Sequence, residues 1–152
     1  MSYKNVLVTG GALRIGKDIC LRMHQMGFNV ICHYNKSEAE AKKLKSELNK
    51  IRKNSCEIYC LDLNDHNQVK NLAKKIEDNF KTLDVLINNA SSFFKTDLSK
   101  HENTDWDNLI NSNLRGPFLL SRYCKNMLSK SRGSIINISD AMVNRGMKDY
   151  VI

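Results

Sequence analysis

A single proline and seven glycines occur in 152 residues, which excludes collagen-like chains and Pro/Gly-rich low-complexity tracts. No apolar run approaches the roughly 20 residues that span a bilayer. The opening MSYKNVLVTGG carries neither an apolar h-region nor a small-residue cleavage site. Membrane and secreted readings are therefore set aside, and a cytoplasmic protein is expected. No Cys-x-x-Cys occurs, and the five cysteines (Cys20, Cys32, Cys56, Cys60, Cys124) are scattered. They are expected to be reduced, mostly buried thiols acting as small apolar residues. The four histidines (His24, His33, His66, His101) show no metal-ligand spacing, so no structural metal is expected.

What is present is a globular composition. Apolar residues make up 41% and mean hydropathy is −0.45, too apolar for disorder. The length suits one domain, 1–152, burying roughly 70% of its unfolded surface. The net charge of +8 is concentrated in residues 36–53 and 121–148. Many lysines of the first block fall opposite Leu44, Leu48 and Ile51, which mark a helix's buried face. A nucleic-acid module would more often interleave a basic stripe with exposed aromatics. No nucleic-acid or membrane partner is expected, which leaves an anionic small molecule beside ordinary solvated surface.

Periodicity divides the chain into alternating elements. Asn5–Thr9, Phe28–His33, Cys56–Leu61, Leu83–Ile87 and Ser134–Ile138 read as strands. Arg14–Met26, spaced through Ile15, Ile19, Met23 and Met26, reads as a helix stopped by Gly27. Ser37–Lys53 is a helix opened by a Ser-x-x-Glu capping box, and Asp65–Phe80 is a third. A long stretch from Asn103 to Ser129 carries Gly116-Pro117, where a break or offset is expected. Strict strand–helix alternation predicts βαβ units, hence an α/β, Rossmann-like, doubly wound parallel sheet with helices on both faces.

The first strand runs into Thr9-Gly10-Gly11-Ala12-Leu13-Arg14-Ile15-Gly16. Glycines there let backbone amides approach a pyrophosphate, and the helix behind supplies orphan N–H donors and a positive dipole end. A NAD site would place Asp or Glu near the end of the second strand. This chain instead has Asn35-Lys36-Ser37, with no acid before Glu38. A lysine and a hydroxyl there favour a 2′-phosphate, hence NADP(H), the alternative being a helix cap and a solvated lysine. Asp62-Leu63, closing the third strand, suits adenine.

These residues resemble the short-chain dehydrogenases/reductases. Thr9-Gly10…Gly16, Asp62-Leu63, Asn88-Asn89-Ala90 and Asn113 fall in that family's order and spacing across the chain. Three features look most like the pteridine reductases, including the dihydromonapterin reductase type. Arg14 replaces the usual middle glycine, Ser91-Ser92-Phe93 follows Asn-Asn-Ala, and Asp140 stands where most relatives have a catalytic serine. The resemblance implies that Gly10, Arg14, Ile15 and Gly16 hold the pyrophosphate. Asn35, Lys36 and Ser37 would take the adenosine ribose and 2′-phosphate, Lys36 standing where some pteridine reductases carry arginine. Asp62 and Leu63 would take adenine, with Asn89, Ala90, Ser91 and Ser139 towards the nicotinamide. Phe93 would stack on a flat pterin, unless it is a loop anchor, with Ser91 and Arg14 beside it. Asn113, at a local helix irregularity, would position a water, and Asp140 would hydrogen-bond to that water or to a tyrosine.

The implied reaction is NADPH-dependent hydride transfer to a C=N bond of a dihydropterin, with protonation of the ring nitrogen by a Tyr-x-x-x-Lys pair. No tyrosine here is followed four positions on by lysine, and the matching tyrosine would fall one position beyond Ile152. The expectation is an N-terminal, C-terminally incomplete portion of an oxidoreductase, able at most to bind the nucleotide weakly and inactive alone. Its full-length relative would be a homo-oligomer. The rival readings are another short-chain reductase, such as a 3-oxoacyl-acyl-carrier-protein reductase, and a non-catalytic nucleotide-binding protein.

Overall fold

The computed structural model describes residues 3–97, 103–141 and 145–151; His101 and Ile152, named above, lie outside them. The apolar runs form β1 (Asn5–Val8), β2 (Asn29–Tyr34), β3 (Cys56–Cys60), β4 (Val85–Asn88) and β5 (Ser134–Asn137). The amphipathic segments between them form α1 (Arg14–Gln25), α2 (Glu38–Ile51), α3 (His66–Phe80), α4 (Asn103–Ile110) and α5 (Gly116–Ser131). All strands pair in parallel in the order β3-β2-β1-β4-β5. Parallel neighbours require crossovers, and the helices supply them.

Alternation along the central strand divides the core. Val6 and Val8 face α1 and α2, packing with Cys20, Ala41, Leu44 and Leu48. Leu7 points the other way, into a cluster with Leu72 and Ile76 of α3 and Leu120 and Met127 of α5. Helices thus cover both faces, as a sheet buried on both sides demands. The pattern fades at the edge, where all four residues of β5 are exposed. Among the described residues no helix is long and apolar enough to cross a membrane.

Several expectations of detail are corrected. On α1 the buried stripe is Gly16, Cys20 and His24, whereas Ile15 and Met26 are 63% and 59% exposed. Small residues face the sheet here because the helix lies close to it; a Cβ on Gly11 would stand 2.8 Å from Cys20 Sγ. Ile51, the last residue of α2, is exposed. Ser37 is the N-cap of α2 but makes no side-chain cap bond, its ψ of 59° lying outside the extended region that caps adopt. Glu38 instead pairs with Lys42 at 2.8 Å, one turn on. Asp65 does cap α3, accepting from the amides of Asn67 and Gln68. Four cysteines are buried and Cys60 is exposed; burial pushes the Cys124 thiol up to about 12.

The break expected at Gly116-Pro117 lies just before it, as a π-helical segment, Asn111–Arg115. The Gly116 amide reaches back five residues to the Asn111 carbonyl. Proline lacks an N–H, and its ring would press on the carbonyl four residues back in a regular helix. The extra residue in the turn relieves both problems and turns Asn113 towards β4.

Candidate functional site

The strand order places β1 between β2 and β4, with α1 and α2 on one face and α3 and α5 on the other. The chain leaves β1 and its neighbour β4 towards opposite faces, so a crevice opens at their C-terminal ends. The predicted site residues lie in the loops after the strands, except Arg14, Ile15 and Gly16 in the first turn of α1 and Asn113 in the π-helical segment.

The β1–α1 turn is built by close approach. Gly10 has φ +62°, and a Cβ on Gly16 would stand 2.0 Å from the Gly10 carbonyl oxygen, so α1 is able to start against the turn only with glycine at position 16. Arg14 opens the helix at φ +50°, a left-handed conformation that a side chain disfavours. This explains why glycine is usual there. The N-cap, Leu13, offers no side-chain hydrogen bond and no acid lies in the first turn, so the orphan amides of α1 have no internal acceptor of that kind.

Thr9 joins this turn to the loop after β4. Its hydroxyl accepts from the amides of Asn89 and Ala90 at 2.9 and 3.0 Å. The Asn89 side-chain amide donates back to the Thr9 and Gly10 carbonyls at 3.0 and 3.3 Å. Asn89, expected along the nicotinamide route, therefore also holds the turn. In the sequence this role of Thr9 is signalled only by a polar residue that ends an apolar strand.

Asn35 and Lys36 are exposed at the end of β2, with Ser37 half-buried beside them. Asp62 is half-buried after β3, and its carboxylate accepts from the Asn64 amide at 3.0 Å. The Leu63 side chain belongs to the α3–α5 core cluster. His33, between these groups, accepts the Gly10 amide at Nδ1 and contacts the Leu61 carbonyl through Nε2.

Beyond β4 an open cavity of about 1020 Å³ is lined by Ala90, Ser91, Phe93, Asn113, Ser139 and Asp140, among others. The structure thus brings together Ser91 and Phe93 of the residues expected at the substrate end, with Asn113 and Asp140, whereas Arg14 does not line this cavity. Asn113 clamps the loop: its Oδ1 accepts the Ser92 amide and its Nδ2 donates to the Ser92 carbonyl. Its amide is committed to this loop as well as to Ser112, whose hydroxyl donates to it at 3.0 Å. Phe93 is 61% exposed and stacks on Tyr150, with ring centroids 4.6 Å apart and planes 9° apart. The Tyr150 segment is fixed to the same loop by the Thr96 amide donating to the Asp149 carbonyl at 2.7 Å. Nothing local in the sequence signalled this pairing. Among the described residues, no group of three or more His, Cys, Asp or Glu is placed to hold a metal.

A family model described as short chain dehydrogenase matches residues 4–151. A 3-oxoacyl-acyl-carrier-protein reductase of Staphylococcus aureus is 32% identical, covering 97% of this chain and 61% of the relative. A short chain dehydrogenase/reductase of Colletotrichum higginsianum is 37% identical over 96% of this chain and 55% of its own length. An uncharacterized oxidoreductase of Thermotoga maritima is 31% identical over 90% of this chain and 53% of its own. The chain spans about three fifths of the length of the curated relatives it matches.

Proposed function

Since the chain belongs to the short-chain dehydrogenase family, we propose that it is the NADP(H)-binding portion of a reductase acting on the C=N bond of a dihydropterin. The observation that carries this reading is the anchored loop at the cavity edge. It holds an exposed aromatic, Phe93, stacked on Tyr150, in a cavity that Ser91 and Asp140 also line. A planar heterocycle needs stacking area and a few polar contacts, and this edge offers both.

The residues present fit a dinucleotide. The uncapped first turn of α1 offers amides and a positive dipole end to a pyrophosphate, and Arg14 adds a full charge. At the end of β2 the nearest acid, Glu38, is bonded along the helix to Lys42. That leaves Lys36 and the Ser37 hydroxyl for a 2′-phosphate rather than a carboxylate for ribose hydroxyls. When bound, NADPH supplies the hydride. The chain's part is to hold the phosphates, to set the loop 91–93 through Asn113, and to place the Asp140 carboxylate where it accepts a hydrogen bond on the protonating side. The carbon of the C=N bond receives the hydride and the nitrogen a proton. The 152 residues contain no Tyr-x-x-x-Lys pair, so this chain is proposed to bind without turning over. The full-length protein is proposed to assemble with copies of itself in the cytoplasm.

A second reading, a 3-oxoacyl-acyl-carrier-protein reductase, is favoured by the name that the Staphylococcus aureus relative carries. Titration of the chain with NADPH and NADH, then with methotrexate in saturating NADPH, separates the possibilities. NADPH is expected to bind at least ~10-fold tighter than NADH, and Lys36→Ala to remove most of that margin. Equal affinities would sink the NADP assignment. Nucleotide binding without methotrexate binding would sink the pterin assignment and favour the ketoreductase.

A further inference from the structure

We infer that His33 is the positioning residue of the nucleotide site: a single imidazole ties the glycine turn to the end of β3 and so fixes where the α1 amides face the phosphates. The inference rests on the nucleotide reading above. His33 lies on β2 and is 2% exposed, too deep to meet a cofactor atom. Its carbonyl accepts the Gly11 amide at 2.9 Å, and its Nδ1 accepts the preceding amide, that of Gly10, at 3.2 Å. An accepting Nδ1 puts the ring proton on Nε2, which donates to the Leu61 carbonyl at 3.2 Å.

Three consequences follow from this arrangement. Both glycine amides are satisfied inside the protein, so the donors left for a pyrophosphate lie further on, in the first turn of α1. Gly10 is held at its positive φ by an acceptor aimed at its N–H, rather than by the absence of a side chain alone. Leu61 directly precedes Asp62-Leu63, so the ring spans from the phosphate turn to the adenine end and makes the two loops one rigid unit. An apolar residue of the same size would strand the Gly10 N–H and the Leu61 carbonyl without these partners.

Two substitutions divide the ring's two bonds. In His33→Asn an oxygen stands where Nδ1 stood and Leu61 is out of reach; in His33→Gln the far nitrogen still reaches Leu61 and Gly10 loses its acceptor. NADPH affinity is measured by fluorescence titration on the 152-residue chain, the Gly10 amide by hydrogen exchange, and the wild-type tautomer by long-range nitrogen-15 NMR of the ring. H33Q is expected to bind NADPH at least ~10-fold more weakly with a fast-exchanging Gly10 amide, and H33N to fall between H33Q and wild type, keeping the Gly10 acceptor but losing the tie to Leu61. The ring is expected to carry its proton on Nε2. A proton on Nδ1, or H33Q binding as tightly as wild type, overturns the inference alone. Failure of the wild-type chain to bind NADPH overturns the nucleotide reading and this inference with it. Should H33Q not fold, the wild-type tautomer and the H33N affinity decide.

Discussion

Asn113 and Ser92 face each other as a closed pair, the side-chain amide of one making both a donated and an accepted hydrogen bond, each 2.8 Å, to the backbone of the other. The pair joins the π-helical segment to the loop that carries Phe93, across 21 residues of sequence.

Replacing Asn113 with alanine removes both bonds at once. Each is worth about 0.5–1.5 kcal/mol net, so a loss of roughly 1–3 kcal/mol is expected in urea unfolding. Methotrexate binding is expected to weaken more than NADPH binding, because the released loop belongs to the substrate end. Asn113→Asp keeps the acceptor for the Ser92 amide but sets a carboxylate against the Ser92 carbonyl, and is expected to fall between the two. An unchanged urea midpoint in the alanine variant would contradict the clamp.

Arg14 pays for its charge in backbone conformation, with φ at +50°. Arg14→Gly is expected to raise stability by about 1 kcal/mol, since the left-handed region penalises a side chain by roughly 1–2 kcal/mol and glycine gains unfolded-state entropy in partial offset. NADPH affinity is expected to fall in the same variant, by ~10-fold or more at low salt. Paired urea and binding measurements check the two directions together. A glycine variant that is both less stable and equally tight-binding would refute the assignment of Arg14 to the phosphates.

Acid is expected to weaken the fold in two stages. Burial holds the His33 imidazole well below its ordinary value, at about 4, against smaller opposing effects from Leu61 and Asp62. The unfolded chain takes up this proton near pH 6.5 and the native chain near 4, so stability falls as pH drops between these values, by on the order of 3 kcal/mol in all. His24, also held low, chiefly by burial, acts in the same direction. Asp65 acts in the same direction at lower pH: hydrogen bonds from Gln68 and Asn67 hold its carboxyl below the usual value, so its contribution persists above about 3.8 and is lost below. Urea midpoints between pH 7.5 and 3 report both limbs. H33N is expected to flatten the upper limb and leave the lower one; a flat profile for the wild type above pH 4.5 would contradict the burial of a neutral ring.

Much of the scaffold is legible from one sequence, because alternation of short apolar runs with amphipathic stretches is a local property. The five strands lie within one or two residues of expectation, and the turn from β1 to α1 is written in Gly10 and Gly16. Residues whose meaning depends on distant neighbours are not legible in that way. Ile15 has the spacing of a core residue but stands exposed, because the helix presses Gly16 and Cys20 to the sheet instead. Ser37 begins a capping box in sequence but makes no cap bond, its backbone having left the required conformation. The Thr9 hydroxyl acts on amides 80 and 81 residues away, and Phe93 meets Tyr150 across a stretch with no shared periodicity.

The order of the strands also governs how the molecule comes together. β1, β2 and β3 follow one another in sequence and lie side by side, so that half closes through short crossovers. β4 and β5 form a second local half. The seam between them, β1 against β4, demands the longest closure, and closure entropy grows with the length of chain enclosed. Thr9, Asn89 and Ala90 sit on that seam, so neither half holds the turn by itself. The nucleotide cleft is a product of assembly, completed by the step with the greatest entropic cost, and any ligand that occupies it reports that the two halves have met.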